Sequence, residues 1–596
     1  MSLDNVKLRL VDSVDEAFAL MEWLGQTRWE DTIGIDIESS GLDKWNDRVR
    51  LVQIGDADNG WAIPWEDWGG VVREVVRKYK GWYVGHNFVS FDWTFLDRVG
   101  VSIPRDRLHD TRPIAHILDP TYSTALKNLA AKHVDPRAKA MQDTLDESIG
   151  SKGGWTWATV PIEYQPYWTY GALDPVITLR LYQYLKEQLE RDGSQRAYEV
   201  ELGAAWVVRQ MEINGAHVDR AYAAEYLTKY EQYCKEVAQW VQEKYSVSPG
   251  SNQAIIDVLK AEGFDFVKRT KSGADALDAD VLASIDHPLA AAVLSRRKLQ
   301  KVGSTYLSHI VGDADANDLM HPSINPLGAR TSRMSMSGPN LQNLPRASEK
   351  NSAATTVRNC YTTRYGDDGR MVFCDFDQIE MRGLAHMSQD LGLRAAFLAP
   401  DDFFIVLARS VFNDPSIESK KDPRRQVVKN VGYGKIYGAG IAKLALTARI
   451  SEEQAAAAMH AFDASFPGVR AFQNRVQRVA LERKATEGVG YVRSPLTNRR
   501  HPSDSGKEYA LVNYLVQGLA AEMFKMKLVE LSNAGLEKFM ILPVHDEVIM
   551  DVPNENLSDV LTTLKDVMND DKLLSVPITA GIATGDRWGA KIDWTG

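Results

Sequence analysis

The sequence predicts a multidomain chain in which an α/β domain is followed by a longer α+β region. Three observations carry this prediction. The chain has 596 residues, enough as a soft rule for about four domains. Residues 1–195 alternate short strand-like runs with helical ones. Residues 196–340 turn helical, and strands and helices mix again over 341–596.

The elements follow in order. Residues 32–37 read as a strand: Ile33, Ile35 and Ile37 alternate with Gly34, Asp36 and the following Glu38. Residues 71–79 read as an amphipathic helix, and 82–84 as a short apolar strand. Segments 199–214 and 221–245 carry apolar residues at helix spacing, and Asn214-Gly215 supplies a stop for the first. Near 371–375 an apolar strand runs into Asp375. Residues 541–550 read as a hairpin, with His545, Asp546 and Glu547 at its tip. No internal repeat or low-complexity segment interrupts the pattern.

Composition narrows the class. With 44% hydrophobic and 25% charged residues, the chain has material for large cores and the surface of a soluble protein. No signal-peptide pattern and no apolar run of membrane-spanning length is found. Cys234, Cys360 and Cys374 are too scattered for a disulfide framework or a metal motif, which fits a reducing, cytoplasmic setting. The net charge of −10 opposes binding of nucleic acid in bulk, but the distribution of charge matters more. Between Lys421 and Gly438 stand five basic residues and one acid.

Asp36 and Glu38 share one face of their strand. Adjacent acids repel unless a cation lies between them. Alone, such a pair is more often a solvated face. Further acids strengthen the chemical reading: Asp92 opens a helical run after His86-Asn87-Phe88-Val89-Ser90-Phe91, and Tyr170 stands one helical turn before Asp174. Four carboxylates and a phenol suit phosphodiester hydrolysis with two metal ions about 4 Å apart. In order along the chain, Asp36-Ile37-Glu38, Asn87 through Asp92 and Tyr170 through Asp174 resemble the three motifs of DEDD-type 3′→5′ exonucleases. The tyrosine in the third motif matches the variant found in proofreading domains. The resemblance implies an active exonuclease of ribonuclease H-like fold, with Asp36, Glu38, Asp92 and Asp174 as metal ligands and Tyr170 orienting water. Asp110, in Leu108-His109-Asp110-Thr111, is read as structural.

A second constellation lies downstream. Asp375 sits at a strand end, a rigid and exposed support; the bland alternative is a turn aspartate. Asp546 and Glu547 sit at the hairpin, where a solvated turn is the bland alternative. Arg425, Lys429, Tyr433 and Tyr437 recur every four residues, laying two cations and two rings along one helical stripe. Cations of this kind can hold a triphosphate, and a ring can stack on a base or sugar. Gly432, Gly434 and Gly438 leave room for close approach.

These segments resemble motifs A, B and C of family A DNA polymerases. Motif A, DYSQIELR in the family, is here Asp375-Phe376-Asp377-Gln378-Ile379-Glu380-Met381-Arg382. Motif B runs from Arg425 to Gly438, and motif C is His545-Asp546-Glu547. Thr331-Ser332-Arg333, Asn340-Leu341-Gln342-Asn343-Leu344-Pro345, and Asn513 with Gln517-Gly518 resemble the family's primer and template contacts. The resemblance implies a right-hand polymerase with thumb, palm and fingers, the fingers inserted over roughly 386–500. It makes Asp375 and Asp546 ligands of two Mg²⁺ ions, for which Mn²⁺ can substitute, with Glu547 beside them. It assigns the nucleotide's phosphates to Arg425 and Lys429, its sugar to Tyr433, the templating base to Tyr437, and exclusion of ribonucleotides to Glu380. Arg333, Gln342, Asn343, Asn513, Gln517 and His545 are expected to touch DNA. The expected partners are primer–template DNA and the four dNTPs, with the chain a monomer in the cytoplasm, that of a host cell if phage-encoded.

Departures from the family pattern carry their own expectations. Asp377 replaces the usual serine and adds an acid. Phe404 stands where many members have a histidine that contacts the triphosphate. Tyr433 implies weak rejection of dideoxynucleotides. The 5′-nuclease region of bacterial relatives is absent, an organisation resembling phage replicative polymerases, and no long insertion over 196–340 implies a thioredoxin partner. Three rivals are weighed. A single-subunit RNA polymerase lacks a proofreading domain, and Glu380 argues for deoxynucleotides. Intact Asp375, Asp546, Arg425 and Lys429 speak against a nuclease whose C-terminal region only holds DNA, and a non-catalytic scaffold has no need of both sets of acids.

Overall fold

The computed structural model describes residues 3–27, 31–149, 154–270, 272–344 and 352–595. Two large sheets organise them. The first has six strands: β1 (Lys7–Leu10), β2 (Thr32–Ser39), β3 (Val49–Gly55), β4 (Asn59–Pro64), β5 (Trp82–Gly85) and β6 (Leu108–Asp110). Their order is β1-β4-β3-β2-β5-β6; β2, β3 and β4 form an antiparallel meander, and the outer pairings are parallel. The strand expected at 32–37 is β2, with Ile33, Ile35 and Ile37 buried. The amphipathic helix expected at 71–79 is α1 (Trp65–Lys78).

Three helices bring residues to this sheet: α2 (Asp92–Arg98), α3 (Leu126–His133) and α4 (Gln165–Asp192). Helix α4 lies almost on the backbone of the sheet. A Cβ on Gly34 would stand 2.1 Å from the Pro175 carbonyl oxygen, and one on Gly60 1.9 Å from that of Ala172. No side chain fits at such distances, so glycine at these two positions sets how closely α4 approaches β2 and β4.

Helix α5 (Gln195–Asn214) joins the two halves and ends at Gly215, whose φ is 64°. Its Ala205 and Trp206 pack in the core of the first sheet, whereas Val207, Val208 and Met211 pack in the core of the second. The joint also buries charge. Glu201 pairs with Arg499 and with Lys525 (2.6 Å), and Glu522 accepts from Ser494 and from Thr497 (2.7 Å). Buried charges are tolerated when paired and hydrogen-bonded in this way. Beyond it, α6 (Arg220–Tyr245) and α7 (Pro288–Val302) share a smaller core built on Val237, Val241, Ile255, Leu259 and Val293.

The second sheet is antiparallel throughout: β7 (Gly369–Phe376), β8 (Met540–Val544), β9 (Glu547–Pro553), β10 (Ala580–Gly585) and β11 (Ile592–Asp593), in the order β8-β9-β7-β10-β11. Around it stand α8 (Ile379–Ser388), α9 (Phe403–Phe412), α10 (Pro423–Ile436) and α11 (Leu511–Leu531). One hydrophobic core runs from the sheet into α9 and α10. Among the described residues no helix is long and apolar enough to cross a membrane.

Candidate functional site

Two separate clusters emerge, one on each sheet. In the first, alternation on β2 puts Asp36 and Glu38 on one face, and α4 lays Asp174 against them. Carboxylate oxygens of Asp36, Glu38 and Asp174 all lie within 4.8 Å of one another. Asp92 opens α2 and is buried, as are Glu38 and Asp174. The charges interact strongly. Burial first, then Asp174, pushes the Asp36 carboxyl well above the ordinary carboxylate range. Burial, then Asp36 and Asp174, does the same to Glu38; burial, then Asp36, raises Asp92. Burial also raises Asp174, against the pull of a neighbouring lysine. All-oxygen donors at this spacing suit a hard divalent cation.

That lysine is Lys127, in the first turn of α3, a residue that sequence reasoning missed. Its ammonium donates to Asp174 Oδ1 and stands 3.9 Å from the centroid of the Tyr170 ring. Tyr170 is one turn before Asp174 on α4, as its spacing predicts, and burial followed by Asp174 raises its phenol. Asp110 acts structurally. Its carboxylate accepts from the backbone N–H groups of Asn87 (2.8 Å), Val89 (3.4 Å) and Arg112 (3.0 Å). These bonds fix the loop that leads into Asp92, in which Asn87 has a φ of 61° and its side chain accepts from Arg112.

The second cluster is built by strand pairing. Asp375 is exposed near the end of β7, directly opposite Glu547 of β9. The β8–β9 hairpin closes through His545-Asp546, with His545 at φ 58°. A positive φ at the first loop residue is what a tight two-residue hairpin requires. The Asp546 carbonyl accepts from the Phe376 N–H at 3.4 Å, so the hairpin tip sits beside the motif that carries Asp375. Glu547 lies not in the turn but at the start of β9, where Lys591 pairs with its carboxylate. Burial pushes Asp546 above its usual range, with Arg333 pulling it down and Glu380 pushing it up.

Glu380 ties the surrounding pieces together. Its carboxylate is bonded by Arg333 and accepts from the Tyr437 phenol at 2.8 Å. Tyr437, just past the end of α10, is also bonded to Gln517 of α11, and burial followed by Glu380 pushes its phenol up to about 12. Asn513 and Gln517 are half-buried one turn apart on α11. Gln342 donates to the Pro543 carbonyl at 3.3 Å, which seats the 341–343 turn against β8. Asn343 stands exposed beside it, and Pro345 falls outside the described residues.

The Arg425–Lys429–Tyr433 stripe lies on α10. Arg425 makes a fork-like pair with Asp402 (2.8 and 2.9 Å), the residue that caps α9. Phe404 fills the ground beneath the stripe. It is buried, with the Arg425 and Lys429 charges each 5.7 Å from its ring and the Tyr433 ring at 6.1 Å. Where a histidine would offer a polar edge, the stripe therefore rests on an apolar face. Asp377, the other departure, is exposed and accepts from Thr579 at 2.8 Å. Of the three glycines in motif B, Gly432 is the one in tight approach: a Cβ there would meet Met381 at 3.2 Å, whereas one on Gly434 would make ordinary contacts.

Both clusters fall inside regions that match known protein families. Residues 216–590 match the model of DNA polymerase family A, and residues 11–190 match that of a 3′-5′ exonuclease. The DNA polymerase of Mycobacterium phage D29 is 28% identical, over 88% of this chain and 88% of its own. DNA polymerase I of Chloroflexus aurantiacus is 31% identical over 75% of this chain, but that match covers 48% of the bacterial protein. Among solved structures, the POL domain of Pol1 from M. smegmatis, in complex with DNA primer-template and dNTP, superposes with a TM-score of 0.81 over 98% of this chain and 100% of that one. Its sequence is 22% identical, so this likeness speaks for the fold. The chain belongs to DNA polymerase family A and carries a 3′-5′ exonuclease domain ahead of its polymerase domain.

Proposed function

We propose that this DNA polymerase extends a primer 3′-hydroxyl with dNMP units, releasing pyrophosphate, and removes misincorporated nucleotides at its exonuclease site. The observation that carries the reading is the convergence of Asp546, Arg333, Glu380 and Tyr437 near Asp375, from segments spread between positions 333 and 546. The family depends on divalent metal. Asp375 and Asp546 would hold the ions of polymerisation, and Asp36, Glu38, Asp92 and Asp174 those of hydrolysis; the carboxylate donor sets fit Mg²⁺ or Mn²⁺. Two ions per site would supply an acidified nucleophile and charge neutralisation at the leaving oxygen.

The chain's own residues do the rest. Arg425 and Lys429 would grip the triphosphate, for which Arg425 must exchange Asp402 for phosphate. Tyr433 would lie against the sugar and Tyr437 near the templating base. Glu380, pinned from two sides, would crowd the sugar 2′ position. Arg333, Gln342, Asn343, Asn513, Gln517 and His545 would contact primer–template DNA. Tyr170 would orient the attacking water of the exonuclease. We divide the chain into an exonuclease domain (1–195), a thumb with its connection (196–340) and a palm with inserted fingers (341–596, fingers near 386–500), acting as a monomer in the cytoplasm.

The test is extension of a 5′-labelled primer on a longer template with Mg²⁺. Full-length product with dNTPs and 3′ shortening without them are expected. Shortening under both conditions would leave a nuclease, or a polymerase that needs a partner.

A further inference from the structure

Lys127 stands in the exonuclease cluster, and the motifs give it no role. Its residue is only 6% exposed, an unusual place for a lysine. Its ammonium reaches two groups at once: it donates to Asp174 and rests over the Tyr170 ring. Those groups sit one turn apart on α4, whereas Lys127 comes from α3, so one point on a second helix fixes both. Through Asp174 the ammonium also joins the group of acids, because oxygens of Asp36, Glu38 and Asp174 lie within 4.8 Å of one another. A solvated surface lysine has neither relation.

We propose that Lys127 is a positioning residue for 3′→5′ hydrolysis. It clamps the Asp174 carboxylate and the Tyr170 ring in register, and it is a resident countercharge in the carboxylate cluster. The proposal rests on the reading of Asp36, Glu38, Asp92 and Asp174 as metal ligands. Two consequences follow, and they run in opposite directions. Without the ammonium, Asp174 and Tyr170 lose their common anchor, and hydrolysis slows. Without its charge, the cluster is more negative, and a divalent cation binds more tightly. A residue that merely supported the fold would weaken both together.

The experiment uses full-length chain and the variants Lys127→Met and Lys127→Arg. Exonuclease rates are measured on a 5′-labelled single strand. Mn²⁺ affinity is measured by calorimetry in a background carrying Asp375→Ala and Asp546→Ala, so that the exonuclease site is the one observed. For Lys127→Met, kcat is expected to fall about 100-fold with little change in KM, the scale of a misplaced catalytic group. The Mn²⁺ Kd is expected to tighten about tenfold, the size of unit-charge repulsion of a divalent ion at ~5 Å even under water-like screening. Lys127→Arg, which keeps the charge, is expected to keep wild-type Mn²⁺ affinity and to recover much of kcat. Unchanged kcat in Lys127→Met, or weaker Mn²⁺ binding together with lost hydrolysis, overturns the proposal. Asp36→Ala is run alongside: if it retains exonuclease activity and Mn²⁺ binding, the metal-ligand reading itself has failed, which is a different result from a silent Lys127.

Discussion

The two carboxylate clusters of this polymerase solve the problem of gathered negative charge differently. In the exonuclease domain, Asp36, Glu38 and Asp174 crowd within 4.8 Å, and Glu38, Asp92 and Asp174 are buried. A cation, Lys127, is built in among them. In the polymerase domain Asp375 stands exposed at the end of β7, and Asp546 stands half-buried at a hairpin tip. Its cations come from around the rim: Lys591 pairs with Glu547, Arg333 bonds Glu380 and acts on Asp546, and Arg425 is held by Asp402. A buried cluster must carry its own compensation, because desolvation penalises each charge. Where a carboxylate such as Asp375 is exposed, water screens much of its charge. The exonuclease acids thus form a compact group with a cation in contact, whereas the polymerase acids are spread along a sheet edge and partly open to solvent.

Four expectations test this contrast. The largest concerns Asp174, which both the cluster and Lys127 depend on. Asp174→Ala should lower exonuclease kcat by about 10³-fold, the scale of losing a principal stabiliser of transition-state charge, while primer extension persists; a loss under tenfold in a gel-based exonuclease assay would deny it a central role. Next is Arg425→Ala. A lost charge-assisted contact costs about 1.5–3 kcal/mol, so the KM for dNTP should rise by roughly 10- to 100-fold, with exonuclease rates unchanged. An unaltered KM in steady-state kinetics would show that Asp402, not phosphate, is the proper partner of Arg425. Third, Tyr433→Phe should make the enzyme reject dideoxynucleotides more strongly in competition primer extension. Strong rejection by the wild type would contradict the role given to that phenol.

The smallest effect is on stability. In the metal-free protein the Asp36 pKa is raised by burial and by Asp174. The folded state therefore holds a proton that the unfolded chain releases above about pH 4. This contribution is full below that pH and is lost as pH rises through the raised folded value. Asp36→Asn, which removes the charge, should raise the melting temperature of metal-free protein at pH 8 by about 2 °C or more and by less at pH 5. Calorimetry checks it; an equal gain at both pH values would mean that Asp36 is not strained by its neighbours.

Much of this was legible in sequence because the signals are local. Isoleucine alternation fixes β2, and it alone puts Asp36 and Glu38 on one face. The four-residue spacing places Tyr170 over Asp174, and the same spacing lays out Arg425, Lys429 and Tyr433 on α10. What was not legible depends on distance in the chain. Nothing in Ala125-Leu126-Lys127-Asn128 distinguishes a lysine that reaches Asp174, 47 positions away, from one that faces water. The pairing of Lys591 with Glu547 requires the register of β10 and β11, and Asp402 looks like an ordinary helix cap until Arg425 meets it. Phe404 was legible as a departure from the family, but its burial beneath two cations and Tyr433 was not.

The most direct test of the account is a double dissociation on one substrate. A 5′-labelled primer–template is incubated with Mg²⁺ and wild type, Asp36→Ala or Asp546→Ala, with and without dNTPs. Two independent centres predict that Asp36→Ala extends the primer but no longer shortens it, and that Asp546→Ala shortens it but cannot extend it. Loss of both activities in either variant, or survival of extension in Asp546→Ala, would contradict the assignment of the two clusters to two separate reactions.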